Sequence, residues 1–342
     1  MKILVLGSLA EGAGKTSLAV GLARNWKTKF GYLKPFGDRL IYRKKRLWDY
    51  DSALMVNIFG LDQSSDEMTI GFEHSKLRYM YDEAGTRAKL QEMARHLESN
   101  SILLVEGGKD LTHGASIRLD TLSLVRNLGA KLVLVVSGDE GTINDQLAFT
   151  QKYVDIKGIE FSVIINKVVN PDDFKSAHLP DIRDMGIPVS GIIPCEQELT
   201  YFSSSYLAEK LQARVIAGEN GLSQRVKHVF VGAMSGDVAA RGPLFKKANK
   251  LVITGGDRSD MIVAAMEGST AGIILTNNII PPQNLISMAQ DRNIPLLLVP
   301  FDTFETARQI DNMTPLLTKD DTARIDLLAD LVAKNVDANS LI

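Results

Sequence analysis

The stretch "LGSLAEGAGKTSLA", residues 6–19, follows the apolar run MKILVL and leads into residues at helical spacing. A strand, a glycine-rich loop and then Gly14-Lys15-Thr16-Ser17 opening a helix wraps backbone N–H groups around phosphates. The helix N-terminus adds positive partial charge, the lysine reaches the β/γ-phosphates and the hydroxyl binds Mg²⁺. A loop that merely turned a strand into a helix would not need Lys15 and Thr16 side by side. The stretch therefore predicts an ATP site built from Gly12, Ala13, Gly14, Lys15, Thr16 and Ser17. One departure stands out: Leu9 occupies the place of the first glycine in G-x-x-x-x-G-K-[ST], and the nearest glycine upstream is Gly7.

Outward from this loop, short apolar runs alternate with longer amphipathic segments. ILVL, GYLKP, SILLVE, KLVLVVS, FSVIIN and IPVSGII read as strands, with helices at 15–28, 82–98, 117–128 and 140–153. Near-continuous apolar strands separated by helices predict an α/β fold whose parallel sheet is covered on both faces. Residues 36–80 are less periodic and are expected to be irregular. From about 216 the polar, glycine-bearing AGENGLSQRVK marks a boundary, and a smaller alternation follows: HVFVGAM, KLVITGG, AGIILTNN and IPLLLVP as strands, with helices near 259–267, 282–291 and 303–311. The expected organisation is a nucleotide-binding domain over 1–215, a linker over 216–227, a smaller α/β domain over 228–315 and a C-terminal helix within 316–342.

The loop resembles the deviant phosphate loops of the dethiobiotin synthetase and cobyrinic-acid-synthetase-like group, whose first glycine also lies further upstream. GYLKPFG at 31–37 resembles that family's Y-x-K-P, LLVEGG at 103–108 its V-E-G-[AT]-G, VIINKV at 163–168 its V-I-[LI]-N-[KR], and GIIPCEQEL at 191–199 its G-[VI]-[IL]-P segment. The resemblance implies that Lys15 and Lys34 neutralise charge on a transferring phosphoryl group. It also implies that Thr16, Glu106 and Asp51 hold Mg²⁺, and that Asn166 and Lys167 lie near the base. Asp49 is the alternative to Asp51, and either can instead be a helix cap. Two lysines with a carboxylate set suit activation of a small carboxylate or carbamate. The family's substrate residues do not map onto 36–80, and GGKDLTHGAS at 107–116 departs from its pattern, so Lys109, Asp110, Thr112 and His113 are either contacts to a different substrate or a surface loop. Ala10 stands where partition-type ATPases carry a signature lysine.

In the second domain, VITGGDRSDMIVAAM at 252–266 places Gly255-Gly256-Asp257-Arg258-Ser259 between a strand and a helix. Asp257 or Ser259 can cap that helix, which leaves Arg258 unexplained. The segment resembles the DRTGG domain, through the motif form G-[DG]-R-x-D, over about 228–315. That family often accompanies a dethiobiotin-synthetase-like domain ahead of a phosphate acetyltransferase domain, so the resemblance implies a regulatory or oligomer-forming role, here a homodimer. With the chain ending at Ile342, no acetyltransferase domain is expected in it. A small acidic effector at Asp257, Arg258 and Ser259 is a further expectation.

The chain has 342 residues, 45% hydrophobic and 23% charged, with a formal net charge of -2, which fits an ordinary two-domain globular protein. Apart from YRKKRLW at 42–48 no basic block occurs, so neither a nucleic-acid nor a membrane partner is expected. Cys195 is the only cysteine, which excludes an intramolecular disulfide and a cysteine metal cage and points to a cytoplasmic setting. His74, His96, His178 and His228 lack metal-ligand spacing. The expected function is Mg-ATP binding with slow hydrolysis or phosphoryl transfer, and the alternative is a nucleotide-dependent regulator of a metabolic partner.

Overall fold

A computed structural model describes residues 1–43, 46–154, 158–243 and 245–341. Lys44 and Lys45 of the basic run lie outside the described residues. The chain forms two compact units, one of residues 1–196 with 317–342 and one of residues 197–316.

The first unit begins with β1 (Lys2–Ser8), α1 (Lys15–Asn25) and β2 (Phe30–Leu33), then a hairpin of β3 (Leu40–Arg43) and β4 (Arg46–Asp49). Helices α2 (Tyr50–Phe59), α3 (His74–Met80) and α4 (Glu83–Arg95) lead to β5 (Ile102–Glu106). Then follow α5 (Thr121–Leu128), β6 (Lys131–Ser137), α6 (Glu140–Tyr153), β7 (Phe161–Val168), α7 (Pro171–Asp184) and β8 (Val189–Pro194). The six-stranded parallel sheet has the order β2-β5-β1-β6-β7-β8. Leu4, Val5 and Leu6 of β1 are fully buried, as expected of a central strand covered on both faces. The strand order reverses direction around β1, which puts the crevice for a ligand at the carboxyl ends of β1, β5 and β2.

The helices start where aspartates can cap them. Asp49, Asp82, Asp120 and Asp139 accept from the backbone N–H groups of Ser52, Gly85, Ser123 and Thr142. Asp120 also explains why α5 starts at Thr121 rather than at 117. The segment expected to be irregular, 36–80, holds the β3–β4 hairpin, α2 and α3. In α2 the polar Asp51 and Ser52 are buried beside Leu54 and Met55, so no polar face is visible in its sequence.

The second unit contains β9 (Phe202–Ser203), α8 (Ser204–Lys210), β10 (Arg214–Ala217), β11 (Arg225–Val226), β12 (His228–Val231) and α9 (Gly236–Arg241). It continues through β13 (Lys250–Gly255), α10 (Ser259–Met266), β14 (Thr270–Thr276), α11 (Gln283–Asp291), β15 (Leu296–Leu298) and α12 (Thr303–Asp311). Its main sheet runs β10-β15-β14-β13-β12, parallel except for β10 at one edge.

Two expected boundaries are corrected here. The linker placed at 216–227 lies inside the second unit, because β10 pairs with β15 and Ala217 joins that unit's core. Its polar, glycine-bearing texture is a tight turn: Gly218 has φ 69°, and a Cβ there would collide with the Ile294 carbonyl. The C-terminal segment is no appendage either. Helix α13 (Thr322–Asn335) packs on α1 at Gly21, where a Cβ would strike Val332 and the Leu328 carbonyl, and Asn25 Nδ2 donates to the Ala329 oxygen at 2.8 Å. The Asp337 N–H donates to the Ser190 oxygen at 2.9 Å, beside a bridge between Gly191 and Val336, and α14 (Ala338–Leu341) follows.

Candidate functional site

The loop between β1 and α1 needs its glycines for shape. Gly12 and Gly14 have φ of 76° and 96°, and a Cβ on Gly14 would run into the Asn166 amide. Asn166 Nδ2 donates to the Ala13 oxygen at 2.9 Å and Lys167 Nζ to the Gly12 oxygen at 2.7 Å. The two residues expected near the base thus brace the loop from β7. Leu9, the departure from the usual pattern, packs against the apolar cluster that includes Leu134, Val136 and Val163. A side chain there is accommodated because it turns into the core. Ser17, in the first turn of α1, is half-buried.

Lys15 Nζ donates to Ser8 Oγ at 2.6 Å and to the Lys109 carbonyl at 3.0 Å, and burial lowers its pKa against the opposing pull of Glu106. Ser8 Oγ donates in turn to the Ala10 oxygen at 2.8 Å. The Thr16 hydroxyl donates to Glu106 Oε1 at 2.8 Å, and the Tyr32 hydroxyl to Glu106 Oε2 at 3.0 Å. Glu106, at the end of β5, is fully desolvated, which raises its pKa despite Lys34.

Lys34 directly follows β2, and its ammonium lies 2.6 Å from Asp38, 3.7 Å from Glu106 and 3.9 Å from Asp49, with Asp51 in a still closer ion pair. Arg39 adds a second cation 3.3 Å from Asp51. Burial pulls the Lys34 pKa down, but the four carboxylates prevail and hold it well above its usual value. Asp51 is pushed up by burial and more strongly down by Lys34 and Arg39, so it stays ionised, whereas burial raises Asp49. Asp49 caps α2 and also accepts from the Asp38 and Arg39 N–H groups at 3.3 and 3.5 Å.

The structure therefore gathers Lys15, Thr16, Lys34, Asp51 and Glu106 at one place. The Thr16 hydroxyl with the Asp51 and Glu106 carboxylates is an all-oxygen donor set, which fits Mg²⁺. Lys34 itself is 1% exposed, with its ammonium enclosed by these carboxylates. Sequence reasoning missed Ser8, Tyr32, Asp38 and Arg39. Asp38 and Arg39 follow Lys34 by four and five residues within LKPFGDR, but nothing in that spacing shows that they fold back onto it.

In the loop after β5, Asp110 accepts from the Thr112 hydroxyl and from the N–H groups of Thr112 and His113, which fixes a turn. Lys109 Nζ lies 3.4 Å from Glu11 of the phosphate loop. His113 stacks on Phe36 at 4.8 Å and 26° and meets the edge of His74 at 5.5 Å. Its Nδ1 is buried over Gly108, and burial lowers its pKa.

In the second unit, Arg258 itself is the N-cap residue of α10, and neither Asp257 nor Ser259 supplies a side-chain cap. Arg258 Nη2 donates to the Met234 oxygen at 2.7 Å, and Nε donates to Asp260 at 3.3 Å. Asp260 accepts from the Gly236 N–H at 2.8 Å. Arg258 is thus a staple between two loops. Gly256 permits the close approach of the Ile279 carbonyl, which a Cβ would block.

Residues 2–202 match the sequence pattern of an AAA domain family. The chain belongs to this family. Beyond the AAA domain, residues 206–313 match the DRTGG domain. Phosphate acetyltransferase of Pseudomonas putida is 25% identical over 96% of this chain and 49% of its own length. Phosphate acetyltransferase of Deinococcus radiodurans is 26% identical over 98% of this chain and 50% of its own length. The chain thus spans about half the length of the curated relatives it matches. Among solved structures, MinD of Aquifex aeolicus is 16% identical, with a TM-score of 0.36, over 58% of this chain and 84% of its own. No helix among the described residues is long and apolar enough to cross a membrane.

Proposed function

We propose that the AAA domain binds Mg-ATP at the phosphate loop and slowly hydrolyses it or transfers its γ-phosphoryl group. The observation that carries this reading is the convergence of Lys15, Thr16, Asp51 and Glu106 at the head of α1. Backbone N–H groups of residues 12–16 hold phosphate oxygens, and Lys15 neutralises charge as it develops. Tyr32 and Thr16 fix the Glu106 carboxylate, and Arg39 fixes Asp51. Bound Mg²⁺ would supply charge neutralisation on the transferring group. A small carboxylate or carbamate is the acceptor that a second cation beside the loop would suit.

A second reading, nucleotide-dependent regulation without a small-molecule product, draws support from the enclosure of Lys34, whose ammonium is taken up by carboxylates of this chain. The DRTGG unit then serves as the regulatory part, with a homodimer formed through it. Val229, Val231, Met234 and Val238 form an exposed apolar stretch there that suits such a contact.

Thermal unfolding with Mg-ATP tests the shared core of both readings. At a ligand concentration a hundred times Kd the expected stabilisation is about 2.7 kcal/mol. It should vanish in Lys15→Ala, and a wild-type protein indifferent to Mg-ATP sinks both. Stimulation of turnover by defined carboxylic acids favours transfer, whereas a nucleotide-dependent change of mass in light scattering favours regulation.

A further inference from the structure

The carboxylates of Asp38, Asp49, Asp51 and Glu106 surround a single ammonium, that of Lys34, whose side chain is 2% exposed. One oxygen from each of Asp38, Asp49 and Asp51 lies within 4.8 Å of the others. Such a spread suits one central cation with oxygens at about 2.0–2.6 Å. We infer that Lys34 is an internal counter-cation: its ammonium occupies the place in this cage that a divalent ion would take, so that metal entry and Lys34 occupancy exclude each other.

Three facts support the inference. Lys34, Arg39 and Lys15 set three cations against four carboxylates, so the cluster is near balance as it stands. A divalent ion added beside a retained ammonium would reverse the sign and bring like charges to about 4 Å, a costly approach in a desolvated site. The carboxylates, in turn, are too deeply buried to be left without a cation, because breaking a buried pair leaves uncompensated charge. A tethered ammonium meets that need in the absence of metal. The Lys34 backbone is pinned by donation from its N–H to the Met68 oxygen at 3.0 Å, so departure from the cage falls to its flexible four-carbon stem.

The inference rests on the reading of the phosphate loop as a Mg-nucleotide site, but its test needs no nucleotide. Mn²⁺ is titrated into the full chain and followed by electron spin resonance. Wild type should show no saturable binding below about 1 mM, and Lys34→Met should bind one ion at least about tenfold more tightly. Lys34→Arg, which restores a cation, should exclude the metal again, and Asp51→Asn added to Lys34→Met should abolish binding. Tight Mn²⁺ binding by wild type or by Lys34→Arg overturns the inference, as does its absence in folded Lys34→Met. Should Lys34→Met prove unfolded without metal, recovery of its thermal transition with Mn²⁺ supports the inference and failure to recover overturns it. A wild type that ignores Mg-ATP while the Mn²⁺ results hold would refute the nucleotide reading alone.

Discussion

Lys15 Nζ is hydrogen-bonded to the carbonyl oxygen of Lys109, 94 positions downstream and 3.0 Å away. The phosphate loop and the loop after β5 thus share one ammonium, and Ser8 Oγ, which accepts from it at 2.6 Å, completes its hold.

Ser8→Ala should therefore lower stability by about 1–2 kcal/mol, since it leaves a charged donor and the Ala10 carbonyl short of a buried partner. Urea unfolding measures the loss, and an unchanged midpoint would show that the Ser8 bridge has no energetic role.

Asp51 and Asp49 lie two residues apart but should respond differently. Asp51→Asn breaks the buried pairs with Lys34 and Arg39 and should cost about 3–5 kcal/mol. Asp49→Asn keeps a competent cap on α2 and sits further from Lys34, so its cost should be nearer 1 kcal/mol. Equal losses in chemical denaturation would contradict this ranking.

His113 has a folded-state pKa below its unfolded value, chiefly from burial, with His74 and Lys109 lowering it further and Asp38 and Asp110 opposing. As pH falls through about 6.5 the unfolded chain gains a proton that the folded one resists, so stability drops toward acid. His113→Gln should flatten that part of the stability profile below about pH 6.5. An unaltered slope would place the titration elsewhere.

Gly21→Leu should push α13 off α1. Overpacking of this contact should cost about 1–3 kcal/mol or detach residues 322–335, which hydrogen exchange in α13 would reveal.

In the second unit, Arg258→Ala and Asp260→Ala should be non-additive, with a coupling of about 0.5–1 kcal/mol, because Asp260 joins Arg258 to Gly236. Additive losses would mean that the two loops are held independently.

Much of the sheet was legible because its strands are buried on both faces and read as unbroken apolar runs. The lysine and threonine at the head of α1 were legible because they are adjacent in sequence. The region 36–80 was not, since its order depends on Lys34 meeting Asp38, Asp49 and Asp51 and on Phe36 bridging Gly71, contacts that carry no period. Helix α7 was hidden by Pro180 inside it. The structural partner of Arg258 was not legible, because the Met234 carbonyl is a backbone atom 24 residues away.

Gly21 meets residues about 310 positions further along the chain, and this separation sets an order of events during synthesis. At ribosomal rates of about 5–20 residues per second, the groove of α1 waits roughly 15–60 s for α13 to be made. The second unit, encoded wholly between the two parts of the first, is synthesised before α13. The first unit therefore cannot close until every residue of the second has been made, and buried Leu18 and Leu22 of α1 lie on the element that waits for α13.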